Sequence, residues 1–289
     1  MHTGPFLTHL QTGIEAVSRT IHLLYADFPV AEDPQFADFH IRLTKPKGLR
    51  AWYRPQALFY FDDQIPFKPL ALDHAFAMFE WCLNWCVASH AHQYLIIHAA
   101  IIERNGLATI LAAPPGSGKS TLAAGLTSRG WRLLSDELTL INPADGSAVP
   151  LARPISLKND SIDVIRKFVP SAVIGPASSD TAKGTVAHLK PPADSVTRAN
   201  ETALPRWVIF PKFEAGTSAS LTSYSKPKAL LQLADNAFNY TELGVSGFQI
   251  LSELIGRCDC YEFVYGSLEE AVVTFDSLSS SLSLPRVGG

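Results

Sequence analysis

The chain has 289 residues, 47% of them hydrophobic and 18% charged, with a formal net charge of -3. That length and apolar content suit a sizeable core in one large domain or two smaller ones, and two are expected here. The small negative charge gives no electrostatic reason for nucleic acid or an anionic membrane as partner. No stretch is long and apolar enough to span a bilayer, and Met1-His-Thr-Gly-Pro-Phe6 lacks the basic and apolar regions of a signal peptide. The expected location is the cytoplasm, where Cys82, Cys86, Cys258 and Cys260 are expected as reduced thiols.

Residues 1 to about 73 read as short strands and turns. Phe39-His-Ile-Arg-Leu43 alternates, Ala57-Leu-Phe-Tyr-Phe61 is a compact apolar run, and Asp62-Asp63 ends it. A helix from about Asp73 to Ala88 follows, apolar almost all round, with Trp81, Leu83, Trp85 and Val87 expected buried on most sides. Cys82, Cys86 and His90 share one helical face. Two thiolates and an imidazole are potential zinc ligands, but so apolar a setting favours small buried fillers. Residues 1–88 are therefore assigned to a small N-terminal α+β domain and 89–289 to the second domain.

The second domain opens with Tyr94-Leu-Ile-Ile-His-Ala-Ala-Ile-Ile-Glu103, Asn105-Gly106 and Leu107-Ala-Thr-Ile-Leu-Ala112. Asn-Gly between two apolar runs predicts a hairpin, which pairs the second strand antiparallel to the first and calls for a mixed sheet. That strand delivers Ala113-Pro-Pro-Gly-Ser-Gly-Lys-Ser120 into a helical run, Thr121-Leu-Ala-Ala-Gly-Leu126. A strand, a small-residue turn and a helix start aim backbone N–H groups and the positive helix end at one point, which suits a polyphosphate. This is a P-loop, with Pro115, Gly116, Ser117, Gly118, Lys119, Ser120 and Thr121 expected around ATP. Lys119 adds a cation for the β- and γ-phosphates, and Ser120 offers a hydroxyl to Mg²⁺. Ala113 stands where the motif begins with Gly, which requires an extended backbone there, and Pro114 favours one.

The helix is expected to stop at Gly130. Trp131 to Ile141 then reads as one strand interrupted by Ser135-Asp136-Glu137. Two adjacent carboxylates inside a strand are costly unless a cation meets them, and one helix after a P-loop that cation is Mg²⁺, held by Ser120, Asp136 and Glu137. Arg153-Pro-Ile-Ser-Leu-Lys158 leads into a helix from Asn159 to Phe168. From there to about Pro205 the chain reads as a loop, either solvated or folding over phosphates as a lid through Lys183, Thr185 and His188. Arg206-Trp-Val-Ile-Phe210 and Tyr261-Glu-Phe-Val-Tyr265 read as strands and Pro227 to Phe238 as a helix. Cys258-Asp-Cys260 is taken as strand with its thiols on opposite faces, and Ser277 to Gly289 as a frayed tail.

With His98 before the hairpin, the P-loop and a Ser-Asp-Glu strand in that order, residues 94 to 141 resemble the HPr serine kinase/phosphorylase superfamily. Its catalytic domain is akin to phosphoenolpyruvate carboxykinase. Ile97-His98-Ala99, Gly116-Ser-Gly-Lys-Ser120 and Arg129-Gly-Trp-Arg-Leu-Leu-Ser-Asp-Glu137 carry the resemblance. Glu80-Trp-Cys-Leu-Asn-Trp-Cys86, Arg153-Pro-Ile-Ser-Leu-Lys-Asn159 and Lys183-Gly-Thr-Val-Ala-His188 are similar to the subgroup called HPr kinase-related kinase A. The resemblance implies Asp136 as the base that takes the hydroxyl proton, Lys119 and Ser120 on phosphate and Mg²⁺, and His98 beside the reacting centre. The Glu-Ile-Arg-Gly-Leu-Gly signature of the bifunctional enzymes is missing, so the resemblance does not extend to the phosphorylase reaction or to HPr as acceptor.

Together these readings predict a P-loop α/β kinase that uses ATP and Mg²⁺ to phosphorylate a hydroxyl, taken as serine in a small protein or peptide. One or more of Arg153, Lys158 and Lys183 is expected to offset phosphoryl charge with Lys119 and Mg²⁺. Asp136, near Mg²⁺, is expected to keep an unraised pKa and to act through its geometry. Two rivals stay open: a kinase of a small metabolite such as free serine, and a nucleotide-gated binding module without transfer. Self-association into a homo-oligomer also stays open.

Overall fold

Alternating apolar and polar residues build the first sheet in the computed structural model, which describes residues 1–32, 36–48 and 53–280. Its strands, in order, are β1 (His2–Thr3), β2 (Phe6–Thr12), β3 (Phe39–Thr44), β4 (Gln56–Phe61) and β5 (Leu70–Ala71). β3 buries Phe39, Ile41 and Leu43 and turns His40 outward, as a period of two requires. Helix α1 (Glu15–Leu24) links β2 to its parallel neighbour β3. Asp62, with φ of 52°, ends β4.

Helix α2 (Ala75–His90) follows a 3-10 turn at Leu72–His74 and buries Met78, Phe79, Cys82, Leu83 and Cys86 in the core beside Phe59. Burial pushes both thiols up, that of Cys86 to about 12, so they stay protonated apolar fillers. The His90 ring donates to the Cys86 carbonyl at 2.9 Å. The expectation that α2 is buried on most sides fails at Trp81, which is 46% exposed. Ile96, Leu138, Leu140, Leu151 and Val196 join the same core. The boundary expected at residue 88 falls within α2.

The Asn-Gly hairpin forms as expected. Arg104 of β7 (Ala100–Arg104) pairs with Leu107 of β8 (Leu107–Leu111), and Asn105 and Gly106 take φ of 56° and 80°. β8 also pairs in parallel with β15 (Leu204–Phe213), and β15 with β17 (Asp259–Tyr265). With β9 (Arg132–Ser135) and β16 (Ser220–Ser223) this makes a mixed sheet of order β16-β17-β15-β8-β7-β9. Alternate residues of β7 divide between two cores. Ala100 and Ile102 pack with α3 (Lys119–Thr127) and α9 (Leu268–Ser280), while Ile101 packs with α6 (Lys226–Asp235) and α8 (Val245–Arg257). Gly130, with φ of 93°, follows α3 as expected. The short α7 (Tyr240–Leu243) precedes α8.

Three sequence expectations need correction. Cys258 and Cys260 do not face opposite ways: residues two apart along an extended chain share a face, and both thiols lie in the core beside α8. Residues 277–280 complete α9 rather than fraying, and the remainder of the expected tail lies outside the described residues. The segment from about 171 to 205 is not a loop. β13 (Ser178–Thr181) and β14 (Gly184–Leu189) form a hairpin that pairs with β12 (Ile155–Lys158), and α5 (Ala193–Thr197) follows. Asn159 leads from β12 into α4 (Asp160–Phe168).

The strand expected over 131–141 also breaks, and the break shapes the site. Residues 131–141 are not one strand: β9 belongs to the mixed sheet, whereas β10 (Thr139–Ile141) pairs with β6 (Leu95–Ile97) and β11 (Ala148–Val149) in a separate sheet. The chain before the hairpin breaks at the same level, since Ile97 faces Thr139 and Ile101 faces Ser135. His98-Ala99 and Asp136-Glu137-Leu138 therefore oppose one another where both chains change sheets. The break satisfies its own backbone. Leu138 N–H donates to the Ser135 hydroxyl at 3.1 Å, and His98 N–H to the Asn236 carbonyl at 2.8 Å.

Candidate active site

The 113–120 loop leaves β8 and enters α3 through two glycines with φ of 86° at Gly116 and 90° at Gly118. Among the described residues only Asp62, Asn105, Asn159 and Asp180 take positive φ without being glycine, so Ala113 fits its backbone without strain. The loop is clamped from β15 and β17: Phe213 N–H donates to the Ser117 carbonyl and the Tyr265 hydroxyl to that of Gly118, both at 3.1 Å. A Cβ on Gly118 would lie 2.6 Å from that hydroxyl, so glycine is required by space as well as by φ. Pro114, Pro115 and Gly116 form an exposed crest, and no side chain caps the start of α3, whose first residues are Lys119, Ser120 and Thr121. Lys119 is buried. Desolvation lowers its pKa, opposed by the nearby charges of Glu137 and Asp136.

The break at residues 136–138 sets its two acids in different roles. Asp136 is buried; its Oδ2 accepts from Ser156 N–H at 3.0 Å, while Oδ1 has no partner. Desolvation, then the charge of Glu137, raises its pKa, opposed by the Ser156 hydrogen bond, the charge of Lys119 and the nearby Ser120 hydroxyl. Without the ion, burial outweighs the neighbouring cations; the expectation of an unraised pKa concerns the acid with Mg²⁺ beside it. Glu137, which burial alone would push up, is instead held low by the His98 hydrogen bond, Lys158 and Lys119. His98 Nε2 donates to its Oε2 at 3.1 Å, and Lys158 Nζ lies 3.7 Å from Oε1.

Beyond these acids lies a cleft of about 920 Å³. Its floor holds His98, Asp136 and Glu137, one wall is α2, and the other carries Lys158, Lys183 and His188. The residues of the 113–120 loop do not line it, whereas Asp136 and Glu137 line it and also lie near Lys119. The remaining expected contacts separate. Lys183 sits exposed at the β13–β14 turn, whereas His188 is buried on β14 against Phe76. Desolvation, then Arg153, lowers the His188 pKa to about 3, so it is a neutral ring and no lid cation. Arg153 is buried and engages α2, donating to Asn84 and pairing with Glu80 at 3.7 Å. Sequence reasoning missed Asn84 and Trp81 as cleft residues, although a lone Asn in an apolar helix is a signal of a polar contact.

The chain matches the family model of the SynChlorMet cassette protein ScmC over residues 72–154, a span that holds α2, the hairpin, the 113–120 loop, both acids and Arg153. The matching model is thus not that of an HPr kinase. No curated protein matches the chain. Among solved structures, the Hpr(Ser) kinase/phosphatase from Coxiella burnetii is similar at 12% identity with a TM-score of 0.26, over 64% of this chain and 98% of that one. So loose a superposition says nothing about chemistry.

Proposed function

We propose that the protein is an ATP- and Mg²⁺-dependent kinase with a P-loop fold that phosphorylates a hydroxyl of a peptide or small protein. The observation that carries this reading is Asp136, a buried carboxylate with one unpartnered oxygen that lies near Lys119 and Ser120 and also lines the cleft. An orphaned buried carboxylate oxygen is costly, so one this placed points to a ligand. In this reading the uncapped start of α3 and Lys119 bind the phosphates, and Asp136 orients the acceptor hydroxyl and takes its proton. The donor set fits Mg²⁺, with Ser120, Asp136 and Glu137 as the residues that would hold it. When bound, the ion would neutralise charge on the phosphate oxygens. Lys158 and His98 hold Glu137 in its ionised form. The cleft supports a peptide over free serine, because about 920 Å³ approaches the upper range of pockets for drug-sized ligands.

Lys119→Ala tests the nucleotide half of this reading. Mg-ATP at about one hundred times its Kd should stabilise the unmodified chain by about 2.7 kcal/mol, and most of that should vanish in the variant while the ligand-free melting temperature barely moves. Equal stabilisation of both chains in a thermal-shift titration would refute the loop assignment. Glu137→Gln should instead raise the Mg²⁺ concentration needed for half-maximal transfer.

A further inference from the structure

Helix α2 is apolar nearly all round, and such a helix ordinarily buries every large side chain. Its exception is one stripe. Ala77, Trp81, Asn84 and Ala88 recur at steps of three and four with Trp85 beside them, and all of them line the cleft. Trp81 is braced from behind by Phe67, whose ring centroid lies 4.5 Å away, and Trp85 by Phe61 and Phe67 at 5.6 and 5.0 Å. The small side chains at either end of the stripe leave the Trp81 indole accessible. A pre-positioned aromatic surface binds an apolar group at low cost in side-chain entropy.

We infer that the α2 wall reads the acceptor, with Trp81 as the platform for a large apolar or aromatic side chain of the same peptide that presents its hydroxyl to Asp136. This rests on the kinase reading. The occupant follows from continuity, since Trp81 and Asp136 line one cavity, and from volume, since a hydroxyl-bearing residue alone would leave most of it empty. Charge does not select the occupant: Lys158, Lys183 and Arg153 share the lining with Glu80, Asp136, Glu137, Asp180 and Glu242, and Lys158 and Arg153 are paired with Glu137 and Glu80. Recognition there falls to the apolar wall.

The test offers the full chain, with Mg-ATP, a pool of synthetic peptides carrying a central serine and randomised neighbours, and identifies the phosphorylated peptides by mass spectrometry. Enrichment of Trp, Phe, Tyr or Leu at a flanking position is expected. Replacing that residue by Ala should lower kcat/KM about 10- to 100-fold, mainly through KM. Trp81→Ala should erase the preference, and Trp81→Arg should turn it toward Asp and Glu; Trp81 is half exposed, and circular dichroism verifies folding. Phosphorylated peptides with no flanking preference, or a preference unchanged in both variants, would overturn the inference and leave the kinase reading standing. Transfer to no peptide by a chain that is stabilised by Mg-ATP would overturn the peptide-kinase reading itself, and the inference with it.

Discussion

Asp136→Asn is expected to lower kcat by about 10²- to 10⁴-fold, the range for removing a general base, while stabilisation by Mg-ATP largely persists. Asn keeps the shape and can still accept the Ser156 N–H that now binds Oδ2 at 3.0 Å. What it cannot do is take a proton. The same substitution should make the ligand-free protein more stable at neutral pH, on the order of 1 kcal/mol, because it removes a buried charge with an unpartnered oxygen. The sign follows from the raised pKa of Asp136: the native state favours the neutral acid, so ionisation costs stability as pH rises through the carboxyl range. Below about pH 4 the acid is neutral in both folded and unfolded chains, and the gain should disappear. A variant that turns over normally would remove Asp136 from the chemistry. One that turns over poorly and also binds Mg-ATP poorly would make it a metal ligand alone.

The largest stability effect is expected well away from the cleft. Glu103 and Arg132 face each other across β7 and β9 with side chains only 2% and 3% exposed, and Arg132 Nε donates to the carboxylate. Glu103 also accepts from Gly106 N–H at 2.5 Å, so one side chain ties the hairpin turn to β9. Arg132 Nη1 donates to the Arg198 carbonyl at 2.9 Å. Glu103→Ala leaves the buried guanidinium with only the half-exposed Glu201, 3.9 Å away, as counter-charge, and breaking a buried pair costs about 3–5 kcal/mol. Against a total of about 5–15 kcal/mol for a folded domain, that is a third or more of the stability. Urea unfolding should show a much lower midpoint with an unchanged slope. A loss below about 1 kcal/mol would mean that water compensates Arg132 and that the pair behaves like a surface one.

Much of the local structure around the candidate site is legible in the sequence because its signals are local. Asn105-Gly106 demands a tight turn whatever lies beyond it, and Gly116 and Gly118 mark a backbone that other residues rarely adopt. The acids at 136 and 137 were recognisable as out of place in an apolar strand, but the resolution of that conflict was not. The chain changes sheets there, and it does so because a segment about forty residues earlier breaks opposite it, a pairing that no local pattern contains. The hairpin at 178–189 was read as a loop for a similar reason. Its partner β12 lies about thirty residues before β14, and alternating small polar residues carry little strand signal. Trp81 was misplaced because residue type alone cannot separate a core indole from one facing a cleft.

The central claim is that the loop, the acid pair and the cleft form one phosphoryl-transfer site. Mass spectrometry of the serine-peptide pool after incubation with ATP tests it most directly, comparing the unmodified chain, Lys119→Ala and Asp136→Asn, each with and without Mg²⁺. The predicted result is phosphoserine in the unmodified reaction only when Mg²⁺ is present, with little or none from either variant. Phosphopeptide yields from the two variants equal to that of the unmodified chain, or no phosphopeptide from any of the three proteins, would contradict it.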